Sequence, residues 1–306
     1  MKIAFIFSGQ GAQKPGMLAS IYDEMAAARA TFDVLGEAMA LDLPRLCFGS
    51  DQETLNRTEH TQPAVLAADL AAMAALNEMG VYPALCAGFS LGEYAALVCA
   101  GVVDLSEAGK LVKQRAQCMA QLSGGGMAAV MGMDTQRLEE ICAGIMTGYV
   151  EPVNYNAPGQ VVVAGDQAGL DSLKMALSQE KARVMPLAVS GAFHSRLMKP
   201  AAQAFRPALD AASFAPPALP VVCNTTAQPF YAQDNWPDTL ERQLCSPVRW
   251  EQSIRQLVDM GAEAFVECGP GKVLTKLNKR ICPDIPSYAV EDLDTLHAAV
   301  ENLRRT

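Results

Sequence analysis

Cys86-Ala87-Gly88-Phe89-Ser90-Leu91-Gly92-Glu93 is the stretch from which the fold is read. It has the form G-x-S-x-G, follows the apolar residues 84–87, and precedes Tyr94-Ala95-Ala96-Leu97-Val98, a good helix former. A strand, a sharp turn and a helix are predicted, with glycines on both sides keeping Cβ atoms out of the bend. Such a turn would expose Ser90 at the N-terminal end of a helix. A serine hydroxyl is a poor nucleophile without a base, and the oxyanion it creates needs N–H donors beside it. The N–H of Leu91 is placed to be one of them. The bland alternative is an idle serine in a tight turn, and the flanking strand and helix weigh against it.

Upstream, residues 3–7 form a continuous apolar run, as in a strand covered on both faces, ending in Ser8-Gly9-Gln10-Gly11-Ala12-Gln13. The glycines begin a G-x-G-x-x-G, but Lys14 stands at the third position, and the loop is no P-loop either. A glycine-bounded loop after a first strand can instead bring a backbone N–H to a ligand, and Gln10 is the candidate. Residues 22–39 and 63–79 read as helices, with His60-Thr61-Gln62-Pro63 as a loop leading into the second.

The chain has 306 residues, half of them hydrophobic, enough for a large core and for one domain or two. No run of about 18 apolar residues offers a membrane span, and the opening segment is too short and too weakly charged for a signal peptide. A soluble cytoplasmic protein is expected. Nine cysteines are spread singly, with no C-x-x-C pair, so neither a disulfide framework nor a zinc site is expected. A net charge of −9 and a pI near 4.9 argue against nucleic acid or an anionic membrane as partner.

Downstream of the turn, Asp104-Leu105-Ser106-Glu107 reads as a capped start to a helix running to about Leu122. Arg115 falls on its apolar stripe, where a cation needs an anion: a protein carboxylate or a substrate carboxylate held bidentately. Ser123-Gly124-Gly125-Gly126 then reads as a hinge into an inserted module. Strand 127–131, helix 135–143, strand 149–154, a turn at 157–159, strand 160–164, helix 167–179 and strand 182–189 follow. That order, βαββαβ, is the ferredoxin-like unit, and it would sit over the serine turn as the second wall of a cleft.

The module leads out through Val189-Ser190-Gly191-Ala192-Phe193-His194-Ser195. Only three histidines exist. His297 lies in a helix-like segment that suits a surface role, whereas His194 stands in a junction loop and is the candidate general base. Farther on, 221–224 and 264–267 read as strands and 250–260 as a helix. Lys272, Lys276, Lys279 and Arg280 recur at helical spacing, a basic face on an acidic protein or an ordinary solvated helix.

Taken together, Gly9-Gln10-Gly11-Ala12-Gln13, Gly88-Phe89-Ser90-Leu91-Gly92-Glu93, Arg115, Asn154-Tyr155-Asn156-Ala157-Pro158-Gly159-Gln160, Gly191-Ala192-Phe193-His194-Ser195, Gln243 and Gly269-Pro270-Gly271-Lys272-Val273-Leu274 resemble the malonyl-CoA:acyl carrier protein transacylases. The matches run in order from residue 1 to about 285. The resemblance implies an α/β fold: a hydrolase-like large domain with a parallel-sheet core over 1–123 and 191–306, carrying a ferredoxin-like small domain over 124–190. It also implies roles. Ser90 would be the nucleophile, His194 the base, and the Gln10 and Leu91 N–H groups the oxyanion donors, while the Gln243 carbonyl orients His194 in place of a triad aspartate. Arg115 would grip the malonyl carboxylate, with Gln62, Asn156, Phe89 and Phe193 completing the substrate-binding set.

The implied activity is ping-pong transfer of malonyl from malonyl-CoA to acyl carrier protein for fatty acid biosynthesis. It would proceed in a cytoplasmic monomer, without metal or redox cofactor. Phe89 departs from the family, in which histidine often precedes the nucleophile. Phe193 resembles the version that favours malonyl over methylmalonyl, a filter worth about 1–3 kcal/mol.

Three rivals fit less well. An α/β serine hydrolase or thioesterase places its histidine near the C-terminus and has no use for Arg115. A patatin-like lipase commonly has Asp-Gly, which this chain lacks. A non-enzymatic carrier would not need the serine, the histidine and two backbone donors together. A free-standing malonyl acyltransferase of a polyketide synthase has the same chemistry and differs only in its carrier.

Overall fold

The computed structural model describes residues 1–122, 124–189, 191–231 and 235–305. Its strands, in chain order, are β1 (Ile3–Phe7), β2 (Leu85–Gly88), β3 (Gly126–Met131), β4 (Val150–Ala157), β5 (Gln160–Gly165), β6 (Arg183–Pro186), β7 (Val221–Val222), β8 (Ala264–Cys268) and β9 (Ser287–Val290). β1, β2 and β8 are short apolar runs, and they lie side by side in a parallel five-stranded sheet of order β7-β2-β1-β8-β9. Phe5 and Phe7 pack into one hydrophobic core; Ala4 and Ile6, on the opposite face, pack into a second with Trp250, Ile254, Leu274 and Leu277. Helices therefore cover both faces, which is why these strands read as unbroken apolar runs rather than as alternation.

The register brings the site together. Phe7 lies opposite both Gly88 and Cys268, so the segments after β1, β2 and β8 leave the sheet at the same carboxyl edge. That edge is where open α/β sheets bind ligands. Residues 8–10, 89–91 and 269–271 are neighbours for this reason alone.

The second sheet is antiparallel, of order β4-β5-β3-β6, with helices Thr135–Ala143 and Gln167–Leu177 between its strands. In the order of its own chain that is 2-3-1-4, the ferredoxin-like arrangement. The Asp134 and Asp166 side chains cap the two helices by accepting the N–H groups of Arg137 and Gly169. Ala128, Val130, Val161 and Val163 face those helices, while Met127, Ala129 and Val162 turn towards the first sheet. The fold is thus a parallel α/β core with a small antiparallel sheet laid against it.

Several expected boundaries move. The helix expected at 63–79 begins five residues earlier, as Thr58–Glu78, so His60 is in a helical turn and not a loop; its Nδ1 lies 3.0 Å from the Thr54 carbonyl. Pro63, which resembles a first-turn signal, sits inside that helix, where its missing N–H removes the bond to the Glu59 carbonyl. The 22–39 helix is broken at the extended Met25 into Ala19–Glu24 and Ala26–Met39, and the Tyr22 ring packs on Phe32 and Phe48. β4 runs on through Asn156 to Ala157, with register shifts that keep its irregular end in the sheet. The strand expected at 221–224 is only Val221–Val222, because Asn224 turns to the buried site described below. The strand expected at 182–189 shortens to Arg183–Pro186. Of the two junction motifs, Ser123 and Ser190 lie outside the described residues.

Candidate active site

Ser90 stands between β2 and the helix Gly92–Cys99 with φ 54°, a left-handed conformation that non-glycine residues adopt at a cost in strain. The bend is tight enough to exclude side chains at its neighbours. A Cβ on Gly88 would fall 1.9 Å from the Gly92 carbonyl, and one on Gly92 would fall 2.3 Å from the Phe7 carbonyl oxygen. The Ser90 N–H donates to Asn224 Oδ1 at 2.7 Å, and Asn224 Nδ2 donates to the Gly88 carbonyl at 2.6 Å. The elbow is thereby tied from outside its own chain segment.

His194 also has a left-handed φ, 62°. Its Nε2 lies 2.6 Å from Ser90 Oγ, and its Nδ1 lies 2.9 Å from the Gln243 carbonyl oxygen. A carbonyl can only accept, so Nδ1 carries the proton and Nε2 is left as the acceptor for the serine hydroxyl. Burial, aided by the nearby Arg115 charge, lowers the imidazole from 6.5 to about 4. His194 is a neutral imidazole at neutral pH, with Nε2 free to accept a proton.

Arg115 projects from the helix Leu105–Ala120, which Asp104 caps by accepting the Glu107 N–H, and it is 1% exposed. Its guanidinium donates to Gln62 Oε1 at 2.6 Å, Gln243 Oε1 at 3.0 Å and Ser90 Oγ at 3.2 Å, and stands 5.7 Å from the Tyr94 ring centroid. All three hydrogen-bond acceptors are neutral, and Arg115 forms no salt bridge among the described residues. Its Nε is buried without a partner. Burial lowers its pKa, against the attraction of Glu93. A buried cation hydrogen-bonded only to neutral groups and facing Ser90 Oγ has the chemistry to receive an anion there.

Above these residues lies a cavity of about 280 Å³ between the two sheets, lined by Gln10, Phe89, Ser90, Arg115, Phe193 and His194, among others. Asn156 reaches the same cavity with its Oδ1 unpartnered, and the Phe89 ring meets Trp250 edge-on at 5.5 Å. Gln62 is buried behind the cavity, against Arg115 and the Met119 sulfur. The N–H groups of Gln10 and Leu91 have no protein acceptor among the described residues. Ser90, His194, Arg115, Gln62 and Gln243 are thus in direct contact, with Gln10, Phe89, Asn156 and Phe193 around the opening and Leu91 starting the helix behind the serine. His297 is exposed, on the C-terminal helix Leu293–Arg305, and lines no part of this cavity.

Sequence reasoning missed Glu93 and Asn224. Both are fully or nearly fully buried: Glu93 accepts from Asn224 N and Gln243 Nε2, and Asn224 clamps the elbow. Burial raises the Glu93 carboxyl from 4.5 to about 7, against the pull of those donors and of Arg115. The available signal was a charged residue inside an apolar helix start, the same anomaly that singled out Arg115.

Residues 4–293 match the acyl transferase domain family. The chain is 38% identical over 309 positions to the malonyl CoA-acyl carrier protein transacylase of Bacillus subtilis (strain 168), covering 99% of this chain and 98% of that protein. The crystal structure of malonyl CoA-acyl carrier protein transacylase from Clostridium perfringens ATCC 13124 superposes with a TM-score of 0.97 at 33% identity, covering 100% of this chain and 98% of that one. A malonyl-transacylase solved in complex with its type II PKS acyl-carrier protein gives 0.94 at 38% identity, covering 99% and 100%. On a likeness that spans nearly its whole length, the chain belongs to the acyl transferase family, among the malonyl CoA-acyl carrier protein transacylases.

Proposed function

We propose that this protein moves a malonyl group from malonyl-CoA to the phosphopantetheine thiol of an acyl carrier protein through a malonyl ester on Ser90. His194 Nε2 takes the Ser90 proton as Oγ attacks the thioester carbonyl, and the Gln10 and Leu91 N–H groups receive the oxyanion. The C–S bond breaks, and His194 returns the proton to the departing CoA thiolate. The carrier thiol then gives its proton to His194, attacks the ester, and releases Ser90 by the reverse steps. Thioester and ester exchange without change of oxidation state, so the reading assigns no redox cofactor, and the activating cation is Arg115 rather than a metal.

Arg115 carries this reading. A hydrolase acting on plain acyl groups gains nothing from a buried guanidinium beside its nucleophile, whereas a malonyl carboxylate supplies an anion in direct contact, which Glu93, reaching Arg115 only through the Gln243 amide, does not. Phe193 in the cavity wall favours malonyl over its branched analogue, and Asn156 offers a polar contact to the substrate. The cavity is also lined by Val273, Leu274 and Leu277 of the helix Val273–Ile281, whose outer side exposes Lys276 and Lys279. That basic face at the cavity mouth suits an acidic carrier. We assign the protein to the cytoplasm as a monomer; no helix among the described residues is long and apolar enough to cross a membrane.

Intact-protein mass after mixing with malonyl-CoA tests the reading, with Ser90→Ala as control and carrier bearing phosphopantetheine added second. A malonyl adduct that needs Ser90 and moves to the carrier is expected. Absence of the adduct, or free malonate without transfer, would transfer the assignment to a serine hydrolase. Comparing fatty acid and polyketide carriers in the second step separates the two pathways.

A further inference from the structure

Glu93 follows the nucleophile by three residues, is fully buried, and takes no part in the cavity wall. Each of its oxygens meets a donor. Oε1 accepts the backbone N–H of Asn224 at 2.8 Å, and Oε2 accepts Nε2 of Gln243 at 2.6 Å. The same Nε2 also donates to the Ser90 carbonyl at 2.8 Å.

A side-chain amide has one donating end and one accepting end, and its hydrogen bonds decide which way round it sits. Two acceptors, Glu93 Oε2 and the Ser90 carbonyl, hold the donating end of Gln243. The accepting end must then face Arg115, where Oε1 takes the Nη2 hydrogen at 3.0 Å. With the opposite orientation two donors would face each other across a buried contact, leaving both unsatisfied. The backbone carbonyl of the same Gln243 holds His194 independently of its side chain.

We propose that Glu93 is a positioning residue for malonyl selection: it sets the polarity of the Gln243 amide, and through that amide the seat of Arg115, without touching the substrate. The inference rests on the reading of Arg115 as the carboxylate clamp. It predicts a division of labour within one residue, the Gln243 main chain serving the base and its side chain serving specificity.

Glu93→Gln is the discriminating change because it keeps the shape and removes one acceptor. The Asn224 N–H cannot change polarity, so the new amide must offer that N–H its oxygen and present its NH₂ group to Gln243. The Gln243 side chain is then forced round or out, and Arg115 loses its seat. The measurement is kcat/KM for malonyl-CoA and for acetyl-CoA at pH 8, above the Glu93 value of about 7, where the wild-type carboxylate accepts at both oxygens, with Ser90 acylation read by intact mass. In E93Q the malonyl value should fall about 10- to 100-fold while the acetyl value changes less than about threefold, as losing a charge-assisted hydrogen bond implies. Gln243→Met should give the same shift in ratio, and E93Q added to it should shift the ratio no further.

An unchanged malonyl-to-acetyl ratio in E93Q, or an equal loss on both substrates, overturns the inference, the second because it marks a structural role. Should E93Q fail to fold, Q243M decides: a malonyl-specific loss supports the relay and an unchanged ratio ends it. Wild-type protein that malonyl-CoA does not acylate overturns the functional reading instead, and this inference with it.

Discussion

Arg115 and His194 converge on one atom: Ser90 Oγ lies 3.2 Å from Nη2 of the first and 2.6 Å from Nε2 of the second. The cation that would hold a malonyl carboxylate also faces the hydroxyl that, in the proposed mechanism, gives up its proton. It helps keep the imidazole neutral by repulsion and favours negative charge on the oxygen by attraction.

Arg115→Ala should therefore invert substrate choice. A lost charge-assisted pair in a buried site corresponds to a fall of about 100-fold in kcat/KM for malonyl-CoA, with a much smaller change for acetyl-CoA. The ratio of the two values is the measurement, and an unchanged ratio would remove the clamp from the mechanism.

The pH dependence has a stated direction. His194 falls from 6.5 to about 4 on folding, so the acid limb of kcat/KM for Ser90 acylation should lie near pH 4 to 5, below an ordinary histidine limb. A midpoint at 6.5 would reject the buried neutral imidazole. For stability, the unfolded chain binds this proton near 6.5 and the folded chain only near 4, so stability drops as pH falls through that interval. Glu93 acts in the opposite sense: raised from 4.5 to about 7, its contribution is present below 4.5 and is lost as pH rises through 7. Urea unfolding of His194→Gln and Glu93→Gln across pH 4 to 7.5 should show opposite changes in slope relative to wild type.

Gly88→Ala should disrupt the elbow outright. Its Cβ would stand 1.9 Å from backbone atoms of Gly92, which cannot yield without moving the helix that follows. A loss of about 3 kcal/mol or more is expected in urea unfolding. Gly101→Ala, at φ 71° with open space around it, should lose only about 1 to 2 kcal/mol from the left-handed backbone alone.

Charge reversal on the basic face should be made at Lys276 and Lys279. Lys272 is paired with Glu291 at 3.1 Å, and Arg280 is committed to Gln160 and the Pro158 carbonyl at 2.6 Å each. The two exposed lysines have no ion-pair partner among the described residues. The K276E/K279E variant should raise KM for the carrier about 5- to 10-fold, more at low salt, and leave acylation by malonyl-CoA within about twofold. An unchanged carrier KM would place the docking surface elsewhere.

Local features of the site were legible because each breaks a local rule. Gly88-x-Ser90-x-Gly92 announces a bend that only glycine permits, and Arg115 on an apolar stripe asks for a partner at depth, where the structure supplies Gln62, Gln243 and Ser90. The βαββαβ order could be read from the alternation of short apolar strands and longer helical segments after the glycine run 124–126, and the structure adds Asp134 and Asp166 as caps at the two helix starts. Illegible features depended on long-range geometry. Asn224 reads as one more polar residue after an apolar pair, and nothing local says that it reaches the elbow 134 residues away. Glu93 was in plain view within the motif, yet its partners come from Asn224 and Gln243, both distant in sequence. The early start of the Thr58–Glu78 helix was hidden by Pro63, whose usual place is the first turn.

Gly124 and Gly191 meet in a parallel bridge, so the small sheet leaves and rejoins the chain at one point. Ser90 and His194 are 104 residues apart in sequence, but once that bridge forms the effective loop between them is about one third as long. On a (3/2)RT ln n dependence this lowers the chain-entropy cost of uniting Ser90 and His194 by about 1 kcal/mol. The small sheet is thus a clasp as well as a wall: residues could be added to its outer loops without lengthening the span over which Ser90 and His194 must find each other.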